Sequence, residues 1–269
     1  MTNSPPIKRI TLPGLVLAPA LAFLALMAPA AGVGAAKDSP AGSPSALERR
    51  CLRVLEEALE KPETTLAAGR ALGDLGHREA IARLREELQQ RRDDPFAFAS
   101  LVWLGLAPYV DQARAALSDG ATPTGVATTY GVALVRNPDR AVTARLFSIW
   151  SDEREDPMER LWAAGALFEM GDERPRDYLR GLLTNRDPYV AVLAAGALFA
   201  RGDAAGTRHL RRELADRRSP HWDQVAVRLG EYPAPEQLDA LVRALRRARH
   251  DLDRVWLAWA VLRHKGYHK

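Results

Sequence analysis

Apolar residues in this chain fall into short stripes that recur. In NRDPYVAVLAAGALFARGD, residues 185–203, Val190, Leu193, Ala194, Ala197 and Leu198 stand three and four positions apart, which sets them on one side of a helix. Asp187 supplies a side-chain oxygen for an orphan N–H at the helix start, and Pro188 has its backbone angle already set for the first helical position. Gly202 offers the left-handed stop. Asp203 then opens a second helix, TRHLRRELADRR, with Leu210 and Leu214 four apart. The pattern predicts helix, tight turn, helix.

The same punctuation returns along the chain. Asp156-Pro157 precedes MERLWAAGALFEMGD, in which Trp162 to Phe168 aligns with Leu193 to Phe199 and Gly171-Asp172 with Gly202-Asp203. The predicted turns fall at or near residues 76, 107, 138, 171, 202, 233 and 266, with successive differences of 31, 31, 33, 31, 31 and 33. A fixed period of this size marks a solenoid, in which each helical hairpin buries its face against its neighbours. Helices this short are marginal alone in water, so stacking must hold them. SALERRCLRVLEEALEK, from residue 45, reads as a second helix without its first; residues 251–266 read as a first helix without its second. The count predicts an all-α fold of about 14 helices. The match is loosest over residues 93–150, where Pro108, Pro123 and Pro138 punctuate in phase but the apolar pattern is weak.

Residues 1–36 differ in kind. Lys8 and Arg9 precede ITLPGLVLAPALAFLALM and then a small-residue tail, the order of a secretory signal peptide, with cleavage expected near residues 30–36. An uncleaved membrane anchor is the competing reading, since the apolar run approaches the length of a span. Residues 37–44, KDSPAGSP, read as a flexible linker, and 45–269 as the solenoid. Without the leader's two cations, 36 basic residues face 34 acidic ones, so the +4 of the whole chain becomes +2 and the overall basicity carries little information. Basic residues are overwhelmingly arginine, 33 against 5 lysines. Cys51 is the one cysteine, so no internal disulfide can staple the fold.

LAAGRALGDLGHREAIARLREEL, LWAAGALFEMGDERPRDYLRGLL and VLAAGALFARGDAAGTRHLRREL resemble HEAT repeats of the phycobilisome-lyase-like class. The resemblance spans residues 45–266 and implies an α-solenoid of HEAT-like hairpins with second helices on the concave face. It is nearly silent on function, because relatives of that class include chromophore lyases, di-iron hydroxylases, DNA-base glycosylases and binding scaffolds.

The chemistry expected of those enzymes is missing from the residues. The hydroxylases bind iron through His-Glu pairs, and none of the six histidines is followed by Glu; His77 is followed by Arg78. No metal and no cofactor is expected. Cys51 shares an apolar stripe with Leu47, Val54, Leu55 and Ala58 and reads as a buried small hydrophobe. Export argues against nucleic acid as a partner. Two surfaces remain. Second helices of the C-terminal half carry Arg176, Arg180, Arg208, Arg211, Arg212, Arg243, Arg246 and Arg247, an arrangement suited to an acidic protein segment. Trp256 and Trp259, three apart on the last helix, form a second candidate for partner binding or else close the final repeat. The expectation is an exported, periplasmic or secreted, non-catalytic scaffold that binds a protein partner. A phycobilin-lyase-like enzyme or accessory and a membrane-tethered scaffold are the alternatives.

Overall fold

The computed structural model of the protein describes residues 43–90 and 94–269; the expected leader, and the expected linker as far as residue 42, lie outside the described residues. The described chain is all-helical, with 14 α-helices and no strand among the described residues. One set alternates along the chain as α1 Ala46–Leu59, α3 Arg78–Gln90, α5 Ala107–Ser118, α7 Arg140–Ser151, α9 Arg176–Leu182, α11 Ala204–Ala215 and α13 Leu238–Arg247. The other set is α2 Thr65–Asp74, α4 Pro95–Trp103, α6 Thr124–Ala133, α8 Pro157–Glu169, α10 Pro188–Ala200, α12 Trp222–Glu231 and α14 Asp251–His264.

Local chemistry accounts for the ends. Asp94, Asp156 and Asp187 each stand before a proline, and each carboxylate accepts the N–H of the residue two positions on, at 2.8–2.9 Å. At the far ends, Gly171 and Gly202 adopt φ of 103° and 75°, a left-handed conformation that costs glycine little. The next N–H then reaches back across the turn, Asp172 to the Leu167 carbonyl and Asp203 to that of Leu198, both at 2.9 Å. His77, Leu106 and Tyr267 make the equivalent bond, to Leu72, Leu101 and Leu262, so one device ends five of the even-numbered helices.

The two sets form two layers. Odd-numbered helices bury one stripe each, such as Cys51, Leu55 and Ala58 in α1 or Leu241, Ala244 and Leu245 in α13. Even-numbered helices are covered nearly all round: every residue of α12 is buried, as are Val255 to Leu262 of α14. Each even-numbered helix packs on the next, from α2 through to α14, and α14 packs on α2. Seven helices thus form a closed inner ring, with the odd-numbered helices outside it. It is the first helix of each hairpin, not the second, that lies inward, which corrects the expectation carried by the resemblance. Neighbouring hairpins pack in chain order, as stacked repeats do. The ends meet as well: α1, the second helix without a first, packs on α14, the first helix without a second.

Several contacts seal this seam. Lys61 donates to the Asp251 carboxylate, the Lys269 N–H donates to the Leu75 carbonyl at 2.8 Å, and Tyr267 stacks on His77. Trp259 lies against α12 where Gly230 leaves room; a Cβ there would sit 2.5 Å from the indole. Two glycine substitutions therefore separate packing from helix propensity. Gly230→Ala is expected to destabilise the protein by ~1–3 kcal/mol in a denaturant titration. Gly181→Ala, in α9 with open space around the new methyl, is expected to be neutral or stabilising by up to ~1 kcal/mol.

Candidate functional site: an arginine-lined groove and a buried ionic centre

Amphipathic helices on the outside of a ring must present their polar stripes to water. On α11 the outward stripe is arginine: Arg208 and Arg212 are four apart and exposed. On α13, which packs beside α11, Arg243 and Arg247 repeat the spacing, with Arg246 next to them, all exposed. Among the described residues none of these five forms an ion pair. Five solvated guanidinium groups on two adjoining helices make a positive groove, and a planar guanidinium suits two-point contact with a carboxylate.

The other three arginines expected at a partner site are held by the fold. Arg180 donates twice to one oxygen of Asp203, at 3.0 and 2.7 Å, and Asp203 is the residue that caps α11. Burial pushes the Asp203 carboxyl up, but the Ala205 N–H and Arg180 outweigh it and leave it below its ordinary value. Arg211 pairs with Glu236 at 3.1 Å in the next repeat, and Arg114 with Asp139 at 3.1 Å in the same way. Arg176 pairs with Glu173 at 2.7 Å and lies over the Phe168 ring. Arg180 and Arg211 therefore clasp one repeat to the next. Trp256 and Trp259 are also corrected: they are 2% and 0% exposed, so no partner reaches them. They close the final repeat, packed edge to face on each other, and Trp259 donates its indole N–H to Asp74 at 3.1 Å.

Those tryptophans belong to a buried centre that the sequence reading missed. At the ends of the inner helices, Arg228 lies 3.1 Å from Glu169 and 3.4 Å from Glu231, and Arg70 lies 3.8 Å from Glu231. Arg70 and Arg136 both stack on Trp103, at 4.0 and 3.8 Å from the ring centroid, and Arg136 also meets Asp74 at 3.2 Å. Burial raises the Glu169 carboxyl well above its ordinary value and lowers the Arg70 guanidinium, with Arg228 and Glu231 respectively opposing the shift. The cluster joins α2, α8, α12 and α14 across the ring. A signal for it existed: Asp74, Arg136, Glu169 and Glu231 all stand two residues before a predicted turn. With its carboxylates bound to arginine and withdrawn from water, the centre ties the inner helices together.

Other chemistry-bearing side chains are accounted for similarly. Cys51 is fully buried, and burial pushes its thiol up to about 12. Among the described residues no three His, Cys, Asp or Glu side chains are grouped as metal ligands. At the start of α12, Asp223 is buried beside Asp253, which accepts its N–H at 3.1 Å. Burial, with the Asp253 charge adding to it, pushes Asp223 up to about 6, although Gln224 donates to it at 2.9 Å.

Two measurements test this electrostatic account. Arg228→Met removes the cation between two buried carboxylates and is expected to cost ~3–5 kcal/mol of stability by chemical denaturation. Asp223 has a folded-state pKa above its unfolded one, so the stability it contributes is complete below about pH 4 and lost as pH rises through about 6. Asp223→Asn is accordingly expected to raise the melting temperature at pH 7.5 and to flatten its change between about pH 4 and 6.5, a gain of ~2–3 kcal/mol. No family model matches the chain, and no curated protein matches its sequence.

Proposed function

We propose that the protein is a non-catalytic scaffold built from HEAT-like helical hairpins, which binds an acidic protein segment in the groove between α11 and α13. The observation that carries this reading is the set of exposed arginines at 208, 212, 243, 246 and 247, none of them in an ion pair among the described residues. Fold stability gives no reason to keep five like charges together on adjoining helices, since surface charges placed so repel each other. A partner bearing carboxylates turns that cost into attraction, which raises the association rate and selects against basic competitors. The rigid ring beneath holds the two stripes at fixed separation, so little order must be imposed on binding. The leader-like start of the sequence supports action outside the cytoplasmic membrane, and none of the described helices is long and apolar enough to cross one.

A labelled peptide rich in Asp and Glu provides the probe. Its affinity for the protein, read by fluorescence anisotropy, is expected to fall at least ~tenfold in the variant R208E/R212E/R243E/R247E, with the melting temperature little changed. Unchanged affinity, or equal binding of a poly-lysine peptide, would refute the groove. Sequencing the amino terminus of the protein recovered from the cell envelope checks export: a start near residues 31–37 is expected, and an intact Met1 on a cytoplasmic protein would count against it.

A further inference from the structure

Beside the groove, and sharing Arg246 with it, the outer layer carries a second pattern, at the seam where the ends of the chain meet. Lys61, just past α1, pairs with Asp251 at the start of α14, so α1 runs antiparallel to α14. α13 also packs on α14, and its end leads directly into the start of α14 through a three-residue connection, so it too is antiparallel to that helix. Consequently α1 and α13 flank α14 and run parallel to each other, with their C-terminal ends level.

Along α1, the positions beside the seam are Arg50 and Arg53, then Val54, then Glu57 and Glu60; Val54 and Glu57 line the shallow groove against Asp251 and Arg254. Along α13 and its exit, the stripe is Asp239, Val242, Arg246 and Arg249, at helical spacings of three and four. All seven charged residues are exposed, and the two valines are half-buried. None of the seven forms an ion pair among the described residues. The order of sign is opposite on the two helices: basic to acidic along α1, acidic to basic along α13. Side by side they make a two-by-two checkerboard, with Val54 and Val242 between the squares and the Lys61–Asp251–Arg254 ion pairs at the seam between the columns.

A checkerboard of this kind is complementary to itself. Rotation by a half-turn about an axis lying in the face and parallel to the helices sets Glu57 and Glu60 of one copy over Arg246 and Arg249 of the other. It likewise sets Asp239 over Arg50 and Arg53. We infer that this face is a two-fold interface between two copies of the chain, with Val54 and Val242 at its centre and alternating charge around them. An anionic membrane or a nucleic acid fits less well, because Glu57, Glu60 and Asp239 would be driven against like charge. The interface is of the weak, salt-sensitive kind, resting on exposed ion pairs about a small apolar contact.

Sedimentation velocity on the protein as the cell makes it tests the inference. A dimer is expected at about 50 mM salt, with dissociation at least ~tenfold stronger at about 500 mM, where the screening length falls to a few ångströms. E57R/E60R and R246E/R249E are each expected to be monomeric with unchanged circular dichroism. Combining all four substitutions in one chain inverts the C-terminal squares on both helices and is expected to restore the dimer. A monomer under all conditions, a dimer indifferent to salt, or a quadruple variant that stays monomeric would overturn the inference. So would loss of the dimer in R208E/R212E, which leaves the seam untouched and bears on the α11–α13 groove alone.

Discussion

The described helices, none longer than 14 residues, are too short to persist without neighbours, and that shortage organises the rest. A stack of hairpins leaves a raw face at each end. Here the helix left over at the start and the helix left over at the end cover each other, with α14 wedged between α12 on one side and α1 and α2 on the other. Trp259 is the side chain that this wedge depends on most. It fills the space left by Gly230, meets Trp103 and Trp256, and reaches Asp74 with its indole N–H. The cost of burying so large a ring with a polar atom is offset by giving that atom an acceptor.

Closure also explains why charge sits at the centre of the molecule. Between the seven inner helices, long side chains with guanidinium or carboxylate heads reach from one helix to another beside Trp103 and Trp256. Arg228, Glu169 and Glu231 connect α8 to α12, and Arg70 extends the chain of contacts to α2. Such a cluster contributes little net stability over a well-packed apolar plug, but it fits only one arrangement of the helices. Removing one partner is far costlier than never having had the set.

Much of the fold was legible in the sequence, because caps and turns are local. Asp156, Asp187, Gly171 and Gly202 do in three dimensions what their positions announce. The stretch where the apolar pattern is loose still forms two hairpins over its described residues, from α4 to α7. Ser100, Thr128 and Thr129 are polar by type yet buried, because each hydroxyl donates to the carbonyl four residues back and needs nothing from outside the helix. The inward placement of the first helices, the burial of Trp256 and Trp259, and the partners of Arg176, Arg180 and Arg211 were not legible. Each depends on residues far away in sequence or in the next repeat, and a stripe of arginines looks the same from within its own helix whether or not an acid waits across the gap.

The meeting of α1 with α14 alters what the linear order of the chain means. In an open stack the terminal repeats are special, since only they lack a neighbour. In a ring no hairpin is first, and the place where the backbone is interrupted is an accident of genetic order more than of architecture. A circularly permuted gene, with α14 joined to α1 by a short connector and new termini cut into the exposed loop between α5 and α6, would encode the same set of contacts in a different order. What would change is kinetic: the hairpin now assembled from the most distant parts of the chain would become a local one, and another pair would inherit the slow, entropically expensive task of finding each other.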